Sequence, residues 1–347
     1  MNHSTPESVL PLANAAPVEN TRSIRYSEAL NEALREEMRR DPTVFLMGEG
    51  IAERGGIWRV TENLAQEFGA RRVRDTPIAE AGFTGAAVGA AITGLRPVIE
   101  IMFVDFAMLA MDAIVNQAAK YAVMTGGFGR VPLVIRTQGG SGTSIAAQHS
   151  QSLEALFYHI PGLKVVMPST PYDAKGLLKS AIRDDAPVIF IEHKLLYTTT
   201  GKVPSVDYLI PLGQADIKRS GRDVTLVAWS NMVPRSLAAA ERLAQEGIDV
   251  EVVDPRTLVP LDKSRILQSV RKTQHVVIVQ EAVRRGGVAS DLASIIQEEA
   301  FDHLDAPIQI VAGKNTPIPF NRKLERACVP QEDDIVGAVK RAVHAQQ

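Results

Sequence analysis

The chain has 347 residues, is 45% hydrophobic and 22% charged, and carries a formal net charge of -2. That length suits two domains, each able to bury its own core. The near-neutral balance argues against a nucleic-acid or membrane-surface binder, and the single cysteine, Cys328, rules out an intrachain disulfide or a cysteine metal cluster.

Residues 1–20, MNHSTPESVLPLANAAPVEN, have no basic start and no long apolar core, unlike a secretory signal. No apolar run approaches the roughly 18 residues of a spanning helix. A loose tail over 1–21 on a cytoplasmic protein is the expectation.

From residue 22, Ala29, Leu30, Ala33, Leu34 and Met38 have helical spacing. Ser27 is a candidate cap and Asp41-Pro42 a stop. VFLMG then reads as a short buried strand. A loop with four glycines follows, and VTENLAQEFG reads as a short helix. From Glu80 to Thr93 almost every residue is Ala, Gly, Val or Ile. Small residues at 81, 82, 85, 86, 89 and 90 predict a central, closely packed helix. VIEIMFV predicts a strand, and the apolar face of DFAMLAMDAIVNQAAKYAVMTGG a long helix.

VPLVIRTQ is a further strand, entering the loop GGSGTSIAAQHSQS, and LEALFYHI resumes helix. Strand 163–169, helix 171–182 and strand 187–194 complete an alternation that predicts an α/β fold with a mainly parallel sheet. Residues 195–222 read as a linker and a hairpin, with a domain boundary near 205. Then VTLVAWS, IDVEVVDPR, HVVIVQE and PIQIVAG alternate with helices of a second α/β unit, closed by EDDIVGAVKRAVHAQ.

Sheets of this kind hold ligands at the carboxyl ends of their strands. No Walker motif, no convincing GxGxxG, no HExxH and no GxSxG is present. GGSGTS is either a cradle for an anion on backbone N–H groups or a flexible surface loop. Glu80, opening the small-residue helix, is either a helix-start carboxylate satisfied by backbone donors or a functional acid. His149, in a polar loop, is either exposed or a general acid–base group. His193 is a weaker candidate. Met102, Phe103 and Phe106 read by themselves as core, Asp105 as a helix cap, and Asp184-Asp185 as an exposed acidic turn.

The stretches LMGEG, GGIWRVTENL, DTPIAEAGFTGAAVGAAITGLRPVIEIMFVDF, TQGGSG, AAQHSQSLEALFYHIPGLKVV, PVIFIEHKLLY and VVDPRTLVPLD together resemble the β subunit of the E1 component of 2-oxo acid dehydrogenase complexes, closest to the pyruvate and acetoin branches. The resemblance covers about residues 22–344. It implies a pyrimidine-binding transketolase-like domain (22–205) followed by a transketolase C-terminal domain (206–347). It also implies thiamine diphosphate shared with an α subunit that holds the diphosphate and Mg²⁺, in an α₂β₂ heterotetramer. The acyl group would pass to the lipoyl group of an E2 partner.

By the same resemblance Glu80 hydrogen-bonds the aminopyrimidine, His149 serves the substrate and the acyl transfer, Met102 and Phe106 wall the pyrimidine pocket, and Glu49 is an acidic neighbour of the cofactor. Leu133, Ala181, Ile182 and Asp184 match a segment that binds a structural K⁺ in some relatives. Gly50, Gln280 and the stretch PIPFNRKLE depart from the family pattern and weaken the choice of substrate, not of class. A branched-chain 2-oxo acid substrate and a non-catalytic assembly subunit of the same fold are the alternatives.

Overall fold

A computed structural model describes residues 20–344. The expected tail over 1–21 lies, but for its last two residues, outside the described residues. In chain order the first half contains β1 (Thr21–Arg25), α1 (Tyr26–Arg40), β2 (Val44–Gly48), α2 (Leu64–Phe68), β3 (Val73–Asp75), α3 (Glu80–Ile92), β4 (Arg96–Ile101), α4 (Tyr121–Met124), β5 (Val134–Gly139), α5 (Glu154–Tyr158), β6 (Lys164–Val166), α6 (Pro171–Arg183), β7 (Val188–His193) and β8 (Thr200–Pro204). The second contains β9 (Asp216–Arg219), β10 (Val224–Ala228), α7 (Met232–Gln245), β11 (Val250–Asp254), β12 (Thr257–Val259), α8 (Lys263–Thr273), β13 (Val276–Val283), α9 (Val288–Ala300), β14 (Gln309–Gly313), α10 (Arg322–Cys328) and α11 (Glu332–Val343).

The strands form a seven-stranded sheet, β12-β6-β7-β5-β4-β2-β3, a five-stranded sheet, β14-β13-β10-β11-β9, and the two-stranded β1-β8. Pairings are parallel except at β12, β9 and β1-β8. The α/β architecture with mainly parallel sheets is therefore present.

Alternation along the strands sorts side chains to two faces. Val98, Val134, Val188 and Phe190 pack with α1 and α6, while Ile99, Ile135 and Ile189 pack on the opposite face. That second core continues into Trp229, Val253, Leu258 and Ile278 of the other half. β12 goes further and joins the first sheet, pairing antiparallel with β6.

Several local expectations need correction. Residues 21–25 are strand, because they pair with β8, and the helix starts at Tyr26 with Arg25 rather than Ser27 at its cap. The expected hairpin in 195–222 is absent: β8 reaches back to β1, and β9 joins β11. VIEIMFV stops as a strand at Ile101. The long helix after it is broken into a 3₁₀ segment (Val104–Ala110), a π segment (Asp112–Ala118) and α4. In α3, Phe83, Ala87, Val88 and Ala91 are buried, but the face bearing residues 81, 82, 85, 86 and 89 is exposed. Close packing of that face is thus not made within this chain. No helix among the described residues is long and apolar enough to cross a membrane.

Candidate active site

The carboxyl ends of β2, β3, β4, β5 and β7 open along one edge of the large sheet, where such sheets hold ligands. Glu49 follows β2, Met102 follows β4, and Glu80 begins α3 after β3. Glu80 is only 4% exposed and accepts no hydrogen bond from the described residues. The reading in which it satisfies backbone donors is not realised.

Glu49 Oε1 is buried and equally without a partner. Burial pushes its carboxyl above the usual range, and the charges of Glu80 and Glu100 push the same way. A cavity of about 550 Å³ adjoins, lined by Glu49, Gly50, Thr76, Ile78 and Met102 among others. A carboxylate without donors lining an open, partly apolar cavity, with the second, Glu80, acting on it electrostatically, asks for a ligand that brings N–H groups and a basic nitrogen.

His149 lies at the end of a 3₁₀ turn (Ala147–His149) and is half-buried. Its ring meets the edges or faces of Phe103 and Phe106, each at a centroid distance of 5.2 Å and near-perpendicular. Residues 102–106 therefore serve both sides of the site. Met102 lines the cavity next to Glu49, and Phe103 and Phe106 hold the histidine. Phe106 is thus brought to His149 rather than to the lining of the Glu49 cavity. Asp105 does not cap the helix after it; its Oδ1 accepts from the Gln151 amide at 2.8 Å.

The loop GGSGTS does not float, and the anions its backbone N–H groups hold are carboxylates of this chain. Ser141 N–H and Oγ donate to Glu281 at 2.7 and 2.9 Å. Gly142 and Ser144 donate to Glu325, the former at 2.7 Å. The backbone donors are taken by carboxylates from the other half of the chain. Gly140 is required here: its φ is +83°, and a Cβ would stand 2.0 Å from His193 Nε2.

His193 in turn pairs with Glu281 at 2.9 Å, which makes it part of the anchor. Burial alone would raise the Glu281 carboxyl; His193 and the Ser141 donors outweigh it and hold it down at about 2, from an ordinary 4.5. A depressed carboxylate contributes stability that is complete above about 4.5 and is lost as pH falls toward 2. Glu281→Gln is accordingly expected to cost about 2 kcal/mol at neutral pH. The gap between wild type and variant should close between pH 4.5 and 2. Urea midpoints measured across that range check it; a gap that stays constant would contradict the assignment.

Ala181 and Ile182 lie at the end of α6 with Asp184 just after it, while the Leu133 carbonyl accepts from the Val188 N–H. However, Arg96 donates to the carbonyls of Ile182 and Asp184 at 2.9 and 2.7 Å, and Lys164 pairs with the Asp184 carboxylate at 2.5 Å. Asp185 also pairs with Arg96 and Arg130, so the turn is bound rather than merely exposed. A K⁺ ion here would share carbonyls with a guanidinium beside two fixed positive charges. The fit is poor, and no role is assigned to it. Among the described residues no cluster of His, Cys, Asp or Glu is placed to hold a metal.

Sequence reasoning missed a buried network one layer beneath. Arg136 on β5 makes a two-pronged bond to Glu192 on β7, at 2.7 and 2.8 Å, and a third bond to Glu100 on β4 at 2.7 Å. Tyr197 OH also donates to Glu192. Burial would lower the Arg136 affinity for its proton, but the two carboxylates outweigh it and keep the guanidinium charged. The available signal was a charge within each of three strand runs rich in Val and Ile, all fully buried but for Arg96 at one end.

The comparisons with known proteins agree in kind. Residues 22–200 match the transketolase pyrimidine-binding domain, and residues 213–335 the transketolase C-terminal domain. A pyruvate dehydrogenase E1 component subunit beta from Rickettsia felis is 50% identical over 321 residues, covering 92% of this chain and 98% of the relative. The beta subunit of an acetoin:2,6-dichlorophenolindophenol oxidoreductase from Bacillus subtilis is 49% identical over 327 residues, covering 91% and 96%. A solved split-gene transketolase, described as an inactive beta4 tetramer, superposes with a TM-score of 0.77 at 24% identity over 93% of this chain and 99% of that one, which speaks for the fold alone. The chain therefore belongs to the family of E1 β subunits of the pyruvate and acetoin dehydrogenases, a transketolase pyrimidine-binding domain followed by a transketolase C-terminal domain.

Proposed function

We propose that this chain is the β half of a thiamine-diphosphate-dependent E1 enzyme that decarboxylates pyruvate or cleaves acetoin and passes the acyl group to the lipoyl group of an E2 partner. The observation that carries the reading is the pair of buried, donor-less carboxylates, Glu80 and Glu49, which interact electrostatically at the strand ends, Glu49 lining a cavity together with Met102. An aminopyrimidine fits them, since its amino group donates to a carboxylate and its ring nitrogen accepts the proton of a carboxyl group. When bound, thiamine diphosphate supplies the electron sink for decarboxylation.

The residues of this chain then have separable work. Glu80 holds a proton at the aminopyrimidine ring nitrogen. Met102 covers the ring with an apolar wall. His149, held between two aromatic rings, orients the substrate carboxylate or moves a proton during acyl transfer. The diphosphate and Mg²⁺ are assigned to an α subunit. The exposed small-residue face of α3 and the exposed Val123, Met124 and Phe128 support a partner of that kind, since apolar surface of this extent favours burial.

The test is a substrate panel. The chain is reconstituted with its α partner and given pyruvate, acetoin and branched-chain 2-oxo acids, with an artificial electron acceptor so that E2 preference does not intervene. Turnover on pyruvate or acetoin that requires thiamine diphosphate and both chains is expected. Turnover confined to branched-chain acids would replace the substrate assignment, and none at all would favour an assembly subunit.

A further inference from the structure

The loop that carries His149 is held at three places. Glu281 and Glu325 take its first part, through Ser141, Gly142 and Ser144. Asp105 takes Gln151 just beyond the histidine. The third attachment is to the histidine itself: the Lys194 ammonium donates to the His149 backbone carbonyl. Lys194 is 2% exposed and lies at the carboxyl end of β7, where the sheet meets the second half of the chain. Its Nζ stands 5.4 Å from the centroid of Phe103, one of the two rings that hold the imidazole. One buried cation therefore grips both the backbone of His149 and the aromatic wall beside it.

We propose that Lys194 is a positioning residue for His149, fixing the imidazole against Phe103 and Phe106 in the orientation that acyl transfer requires. This rests on the catalytic reading of the site given above. A lysine in so dry a place is costly, and surface packing gives no reason to keep one there. The other buried lysines, Lys175 and Lys179, are each paired directly with a carboxylate of α1. Among the described residues Lys194 has no carboxylate at hydrogen-bond distance. Its charge is answered at longer range by Asp105 from the segment after β4, Glu281 from β13 and Glu325 from α10, with His193 adjacent in the chain. Burial lowers the ammonium's hold on its proton to about 8, against the weaker opposing pull of those three carboxylates. The grip on the His149 carbonyl therefore weakens within the pH range of an ordinary assay.

The experiment uses the complex of this chain with its α partner and follows both dichlorophenolindophenol reduction and acylation of a free lipoyl domain. Wild type must first turn over; failure there would fall on the functional reading, not on Lys194. In Lys194→Met, lipoyl acylation is expected to fall at least tenfold in kcat, with KM for the 2-oxo acid within threefold and dye reduction less affected. The alkaline limb of the wild-type acylation profile, with its inflection near 8, should be absent. Lys194→Arg, which keeps charge and donors, should recover much of the acylation and move the limb beyond pH 10. The proposal is overturned if Lys194→Met acylates the lipoyl domain within twofold of wild type, or if its alkaline limb stays in place. Equal loss in both assays, with no recovery in Lys194→Arg, also overturns it and marks the residue as structural alone.

Discussion

Glu80→Gln is expected to reduce cofactor-dependent turnover by at least about 100-fold, the lower end of what a positioned acid–base group contributes, while leaving the chain folded and able to assemble. The reasoning is local. Glu80 opens α3 with its carboxylate buried and without a donor, so glutamine removes a charge that nothing in the chain neutralises. Glu49, which interacts with it electrostatically, is of the same sign. Stability should therefore hold or rise slightly, even as activity collapses. Steady-state kinetics on the reconstituted complex, with thermal unfolding of the same sample, measures both. Turnover within tenfold of wild type would sink the role assigned to Glu80. A lost assembly would mean that the carboxylate is structural.

Arg136→Met is expected to have the opposite profile, costing about 3–5 kcal/mol of stability, as removal of one partner from a buried ion network does. The loss strands Glu100 and Glu192, both almost fully buried, on β4 and β7, the two strands that flank β5. The triple variant Arg136→Met/Glu100→Gln/Glu192→Gln should recover a large part of that cost, because it strands no charge. Chemical denaturation of the three proteins checks this. If the single substitution costs less than 1 kcal/mol, the network is not under the electrostatic constraint described here.

Regular, repeated patterns were legible in the sequence. The apolar runs of β2, β5, β7 and β10 and the periodicity of α1 and α6 gave both the elements and the fold class, since burial acts on every turn or second residue alike. The motifs around Glu80 and His149 directed attention to the strand ends where the structure places both residues. What stayed hidden was set by partners distant in sequence. Residues 21–25 look helical alone and become strand only because 200–204 lies beside them. The polar loop at 139–144 looked free because its anchors, Glu281 and Glu325, come about 140 and 180 positions later. Lys194 carries no signal in the sequence at all; its meaning depends on which carbonyl it reaches.

The three residues of β12 have a consequence for how the molecule can be divided. They belong by chain order to the second half, yet they form the border strand of the first half's sheet, against β6. A protein ending near residue 205 would leave β6 with a row of bare N–H and C=O groups, the arrangement that recruits strands from other molecules. Its shared core, running from Val165 to Leu258, would face water as well. The halves thus make one cooperative unit joined by a stitched seam rather than two modules on a hinge. Neither should be expressible alone as a well-behaved monomer.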